Sequence, residues 1–219
     1  MAKKINVGVL ASGRGSNLQA IIDSIHNNTL DAEVRVVICD VESAYALERA
    51  RKNNIRDIFL DPKSFASKKE FEDEIIRLLR ENQVELVCLA GFMRVLSSHL
   101  VGAFKDRILN IHPSLLPSFP GLHVQKKALE YGVRFSGCTV HFVDEGVDTG
   151  PIIIQAVVPV FDHDTEESLS ERILEQEHKI YSRAIQLIAE KRIVREGRRV
   201  LVKDFQEQGL FIINPPLDE

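Results

Sequence analysis

The run ILNIHPSLLPSFPG, residues 108–121, decides how this chain is read. Its first five residues have the pattern of a short strand. Side chains on a strand alternate between faces, so Asn110 and His112 share one face, roughly 6–7 Å apart, while Leu109 and Ile111 take the other. Pro113 has no N–H to donate and ends the pairing. An amide and an imidazole therefore stand side by side at the C-terminal end of a strand, with a proline-stiffened loop beyond. Open α/β sheets bind their ligands outside the C-terminal ends of their strands, so the run predicts both a fold class and a site.

Upstream, the pattern alternates strand with helix. Residues 5–10 read as a buried strand, followed by a glycine loop over 12–17 and a helix with Leu18, Ile21, Ile22 and Ile25 on one stripe. Strands follow at 33–39 and 55–60, with a helix at 43–53 between them. A helix over 67–82 has Phe71, Ile75, Leu78 and Leu79 as its core face. Residues 86–90 are near-continuously apolar, as in a strand covered on both faces. A short helical piece at 97–104 leads into the run at 108. Such alternation implies right-handed βαβ units and a doubly wound, mostly parallel α/β sheet with helices on both faces.

Downstream, a helix at 124–131 precedes two longer strands, 136–143 and 152–160, joined by the loop Asp144-Glu145-Gly146-Val147-Asp148-Thr149-Gly150. Asp164 with Glu167 three residues on predicts a capping box for a long helix to about Lys191. VREGRRVLV, residues 194–202, reads as a hairpin on Gly197. With no repeats or linker, residues 1–191 read as one domain, and 192–219 as a hairpin and tail packed on that domain or trailing from it.

Composition bounds the function. The 219 residues are 44% hydrophobic and 27% charged, with a net charge of −4. That balance argues against nucleic acid as the main partner. No apolar run approaches the roughly 18 residues of a membrane helix. The start, MAKKINVGVLASGRG, loosely mimics a signal peptide, but its short apolar part runs into a Gly-Arg-Gly loop and reads as a first strand. Cys39, Cys88 and Cys138 lie in strand-like runs without disulfide or zinc spacing, which predicts buried thiols and a cytoplasmic setting.

The glycine loop, Ser12-Gly13-Arg14-Gly15-Ser16-Asn17, offers backbone N–H groups and a helix dipole to an anion. It lacks the Gly-Lys-Ser/Thr ending of a Walker loop, and Leu18 stands where a dinucleotide fingerprint needs its third glycine. Ser16 and Asn17 add donors suited to a single phosphate. A ligand-free cap turn, and a nicotinamide site with Asp40 on a ribose, remain compatible with the spacing.

An amide donor beside an imidazole suits acyl transfer: the amide steadies an oxyanion and the imidazole manages a proton. One such donor is worth about 3–4 kcal/mol of barrier, and acid–base help about 10²–10⁴ in rate. No GxSxG elbow is present, so a covalent acyl-enzyme is not indicated. His112 by itself also fits a capped strand end. Asp148, between Gly146 and Gly150, fits either a turn former or a carboxylate that would favour the imidazolium of a nearby His112.

Four segments together carry a resemblance: GRGSNL at 13–18, AGFMRVL at 90–96, LNIHPSLLPSFPGLH at 109–123 and DEGVDTGPII at 144–153. In this order and spacing they resemble the phosphoribosylglycinamide formyltransferase family, within the folate-dependent formyltransferases, over nearly all of residues 5–190. The Asn-x-His-Pro-Ser-Leu-Leu-Pro signature is specific to the superfamily, and GRGSNL to the glycinamide ribonucleotide branch.

The resemblance implies a formyltransferase-like Rossmann variant. It implies formyl transfer in purine biosynthesis from 10-formyltetrahydrofolate as co-substrate to 5'-phosphoribosylglycinamide, without metal. Asn110, His112 and Asp148 would be the catalytic trio. Gly15, Ser16 and Asn17 would bind the phosphate end, and Glu177 would reach the ribose hydroxyls. Without the family, Glu177 reads equally as a solvated carboxylate at a helix edge. Met93, Arg94, Val95 and Leu96, with Asn110, would line the folate pocket. Lys68 stands where the family can use arginine near the folate; it keeps the charge but loses the bidentate fork. The partners implied are small molecules, with no nucleic acid and no membrane, for a monomer or homodimer.

Three rivals share parts of this pattern. A formyltetrahydrofolate deformylase has the same Asn, His and Asp but is expected to carry an N-terminal regulatory domain, for which there is no room before Ile5. A methionyl-tRNA formyltransferase needs a basic RNA-binding domain that the short RVLVK tail does not supply. A non-catalytic ribonucleotide sensor would use the glycine loop alone.

Overall fold

The computed structural model describes residues 4–204 and Asn214. Seven strands form one sheet: β1 (Ile5–Ala11), β2 (Ala32–Cys39), β3 (Arg56–Phe59), β4 (Leu86–Leu89), β5 (Ile108–His112), β6 (Phe135–Phe142) and β7 (Ile152–Pro159). Their spatial order is β3-β2-β1-β4-β5-β6-β7. The first five run parallel, while β6 and β7 pair antiparallel. The order reverses between β1 and β4, and the strand ends beside that switch point are where such sheets hold ligands.

Each face of the sheet carries its own core. On one face, α1 (Ser16–His26), α2 (Tyr45–Lys52), α5 (Val124–Tyr131) and α6 (Glu166–Ala189) pack Leu18, Ile21, Leu47, Ala128, Leu169 and Ile173 against Val7, Val9 and Cys88. On the other, α3 (Lys68–Glu81) and α4 (Ser98–Ala103) bring Phe71, Ile75, Leu79 and Leu100 onto Leu10, Val87 and Ile108. Leu109 and Ile111 belong to the first core and Ile108 to the second. By alternation, Asn110 and His112 follow Ile108.

Tyr181, fully buried on α6, reaches through this packing. Its hydroxyl lies 3.0 Å from the Leu89 carbonyl and 3.2 Å from that of Leu109, tying β4 to β5 just below the site. All three cysteines are free and buried, and burial pushes each thiol up to about 12. No helix among the described residues is long and apolar enough to cross a membrane.

Two elements differ from their sequence reading. The helix expected from 43 begins at Tyr45, because Ala44 keeps an extended backbone as its N-cap. The capping box of α6 is Thr165 with Ser168, not Asp164 with Glu167. Asp164 is drawn off by a bidentate pair with Arg172 at 2.7 and 2.8 Å. That leaves the hydroxyl of Thr165 to take the Ser168 N–H. The hairpin forms as β8 (Ile193–Glu196) and β9 (Arg199–Val202), a separate two-stranded sheet turning at Gly197. Residues 205–213 and 215–219 of the proposed tail lie outside the described residues.

Candidate active site

A cavity of about 400 Å³ opens above the C-terminal ends of β4 and β5. Its walls come from distant parts of the chain: Asn17 and Glu177 at one side, residues 91–96 at another, Asn110 and His112 on the floor, and Gly121 to Gln125 with Val143, Asp144 and Gly146 to Asp148 at the rim.

The glycine loop is built for a close turn. Gly15, the N-cap of α1, has φ +67°, and a Cβ there would lie 2.8 Å from that of Ala46. Only glycine meets both conditions without strain. The loop is tied to α2 by the Ala46 N–H to the Gly13 carbonyl at 3.1 Å and by Arg49 Nε to the Arg14 carbonyl at 2.9 Å. Gly15 gives α1 no side-chain cap and its first turn carries no acidic residue, an arrangement that suits an anion at the first N–H groups. Asn17 points into the cavity, where its amide donates to Glu177 Oε2 at 2.7 Å and its own Oδ1 is buried without a partner. Glu177 is 7% exposed, and burial raises its carboxyl above the ordinary range despite the Asn17 bond. The helix-edge residue is thus a buried acid, not a solvated one.

The wall at 93–96 is held from behind. The Met93 N–H donates to Ser12 Oγ at 2.9 Å, joining this wall to the glycine loop. Arg94 donates through Nε to Asp40 at 2.7 Å, so Asp40 at the end of β2 holds an arginine. Glu72, buried on α3, accepts the Ser97 N–H at 2.8 Å directly after the wall. Met93 and Val95 stay largely exposed at the cavity mouth, and Leu96 is buried. Lys68 does not join them; it sits at the start of α3, 3.9 Å from Glu72 and outside the cavity lining. Gly15 and Ser16 likewise stand behind Asn17 and do not line it.

Asn110, His112 and Asp148 do come together. Asp148, at φ +55° in its loop, places Oδ2 3.4 Å from His112 Nδ1 and Oδ1 3.3 Å from Asn110 Nδ2. The loop after β5 closes the arrangement. His112 Nε2 lies 2.9 Å from the Phe119 carbonyl, and the Gly121 N–H donates to Asp148 Oδ2 at 2.9 Å. Gly121 itself has φ +82°, in the left-handed region that glycine accepts. Thr139 and Gln155 pin the same loop through Ser114 and Leu116, and the Leu116–Pro117 peptide is cis.

His141 was not foreseen. It is 2% exposed, lies directly opposite Asn110 across the β5–β6 pair, and places Nε2 3.2 Å from Asn110 Nδ2. Burial lowers its basicity. Its sequence context, an apolar strand, carried no signal; only the antiparallel register brings it to the site.

Comparisons with known proteins point to one family. Residues 5–185 match the formyl transferase family model. The chain is 49% identical over 205 residues to the trifunctional purine biosynthetic protein adenosine-3 of Drosophila pseudoobscura pseudoobscura, covering 92% of this chain and 15% of that much longer protein. It is 45% identical over 177 residues to the phosphoribosylglycinamide formyltransferase of Bacillus subtilis (strain 168), covering 81% of this chain and 91% of that one. A solved structure of glycinamide ribonucleotide transformylase 1 from Symbiobacterium toebii matches with TM-score 0.91 and 51% identity, covering 93% and 96% of the two chains. A formyltetrahydrofolate deformylase from Pseudomonas syringae is a more distant neighbour, with TM-score 0.86 and 29% identity over 93% of this chain and 67% of that one.

Proposed function

The chain belongs to the phosphoribosylglycinamide formyltransferase family, and from that premise we propose that it moves the formyl group of 10-formyltetrahydrofolate onto the amine of 5'-phosphoribosylglycinamide. The observation that carries the reading is the meeting of Asn110, His112 and Asp148 between the Asn17–Glu177 side and the wall at 93–96. An acyl centre needs a donor, a proton carrier and room for two reactants, and this cavity supplies them in one place.

The ribonucleotide enters with its phosphate at the N–H groups of Gly15, Ser16 and Asn17. Its ribose hydroxyls meet Glu177 and the unpaired Oδ1 of Asn17, two acceptors that a diol satisfies. The folate lies against Met93, Arg94, Val95 and Leu96, whose backbone groups and apolar side chains suit a flat heterocycle. Lys68 lies outside the cavity lining, at the start of α3.

In the reaction, the amine lone pair attacks the formyl carbon and the carbonyl π electrons move onto oxygen. An Asn110 N–H donates to that oxyanion. The amine loses one proton as the tetrahedral centre collapses, the bond to the folate nitrogen breaks, and that nitrogen gains one proton. His112 relays the proton. Both of its ring nitrogens face acceptors, the Asp148 carboxylate and the Phe119 carbonyl, an arrangement that the imidazolium satisfies fully and either neutral tautomer only in part. No covalent enzyme intermediate is required.

The test is a formyl-transfer assay with both substrates. His112→Ala and Asp148→Asn are expected to lose about 10²–10⁴ in kcat. Near-wild-type turnover in either variant sinks the role assigned to that residue. Release of free formate in place of transfer would instead favour hydrolysis.

A further inference from the structure

The oxyanion role of Asn110 depends on which end of its amide faces the acyl centre, and Asn110 itself cannot decide that. The amide can turn by half a rotation about its last bond and present oxygen where nitrogen stood. A flipped amide would aim an acceptor at the oxyanion and repel it. Something must hold the amide in one sense.

His141 is placed to do so. Its Nδ1 lies 2.9 Å from the Phe142 carbonyl, an atom that can only accept, so Nδ1 carries the proton. In the neutral ring Nε2 is then bare, and it faces Asn110 Nδ2 at 3.2 Å. The second acceptor near that nitrogen is Asp148 Oδ1, at 3.3 Å. Flipping the amide would set its oxygen against a ring lone pair and a carboxylate together. Of these two holders His141 is the fixed one: it is 2% exposed, sits on a strand directly opposite Asn110, and takes no part in the proton relay. Asp148 sits on a loop and is engaged with His112 and Gly121. Burial disfavours the charged form of His141, in the sense this task requires.

We infer that His141 is a positioning residue: as the Nδ1–H tautomer, it takes one Asn110 N–H and thereby turns the other toward the acyl oxygen. Asp148 holds that second N–H in the resting site and gives it up when the substrate oxygen arrives. The inference rests on the reading of Asn110 as oxyanion donor, but its first test does not.

That first test is ¹⁵N NMR of the ring nitrogens in the wild-type protein. The expected spectrum shows His141 Nδ1 protonated and Nε2 imine-like; protonated Nε2 overturns the inference whatever the enzyme does. The second test is kinetic. His141→Phe removes the acceptor while keeping a ring, and kcat is expected to fall about 10- to 100-fold with KM for both substrates nearly unchanged. His141→Gln, which can place an oxygen at the Nε2 position, recovers most of that loss, as a merely space-filling role would not require. In an Asn110→Ala background the His141→Phe change should cost less than about twofold, because the amide it orients is gone. Wild-type kcat in His141→Phe, or a loss that adds in full to Asn110→Ala, overturns the inference. If His141→Phe does not fold, the same cycle run with His141→Leu, which also removes the acceptor, and the wild-type spectrum decide it. Absence of any formyl transfer by the wild type would sink the functional reading and leave the tautomer measurement standing.

Discussion

The Asn17 amide donates to the Glu177 carboxyl across 2.7 Å, joining the first turn of α1 to the middle of α6 over a sequence separation of 160 residues. The bond makes one wall of the cavity and leaves Asn17 Oδ1 buried and unpaired. An unpaired buried acceptor costs stability, and sites that bind polar ligands retain such groups.

Glu177→Gln tests that cost. Burial raises the folded-state pKa of Glu177 above its unfolded value of about 4.3. A carboxyl so raised contributes stability below the unfolded pKa and loses it as pH rises through the folded one. The neutral glutamine should therefore be more stable than wild type at pH 7 by urea denaturation, and the advantage should vanish below about pH 4. Ribonucleotide KM should rise in the same variant. Equal stability at both pH values would show that the carboxyl is not strained by burial.

Gly15→Ala adds a methyl where φ is +67° and where Ala46 already stands 2.8 Å away. The left-handed backbone alone costs about 1–2 kcal/mol with a side chain present, and the contact adds to it. We expect a lower urea midpoint and, in the folded fraction, weaker ribonucleotide binding with little change in folate binding. Unchanged ribonucleotide affinity would separate the loop from the phosphate.

Asp164 has its carboxyl held well below the usual range, chiefly by the bidentate Arg172 pair. A depressed pKa gives stability that is present above the unfolded value and lost as pH falls through the folded one. Asp164→Asn should cost about 1.5–3 kcal/mol at pH 7. The gap from wild type should close steadily below about pH 4. A gap as large at pH 2 as at pH 7 would mean the loss is packing and not charge.

Arg198, on the turn between β8 and β9, donates to the Thr149 carbonyl at 2.8 Å, the residue after Asp148. The same hairpin is latched by Arg195 to Asp106. Arg198→Ala should speed amide exchange within residues 144–150 while leaving the global urea midpoint within about 1 kcal/mol of wild type. Uniform destabilisation, or no local change in exchange, would show that the hairpin does not steady the Asp148 loop.

The strands and helices were largely legible because their signals are local. Alternation, apolar stripes and turn residues placed every strand of the sheet within a residue or two. The N-cap of α6 was misplaced by one because Asp164 and Thr165 can both cap, and a partner eight positions on, Arg172, settled the choice. Asn110 and His112 were legible as neighbours because a strand sets them two apart. Asp148 was visible only as a candidate in a bent loop. Lys68 was assigned near the folate from the family resemblance alone; it stands at the start of α3, outside the cavity lining.

By itself the sequence determined the alternating α/β order, the glycine turn before α1 and the paired amide and imidazole at the end of β5, since each rests on residues close in the chain. Tertiary structure alone decided that Asp148 meets His112, that Glu177 is buried against Asn17, and that His141 lies across from Asn110. Those contacts depend on the antiparallel register of β6 and on the packing of α6 over the sheet. Neither leaves a trace in residue spacing, because both are settled by burial summed over the whole core.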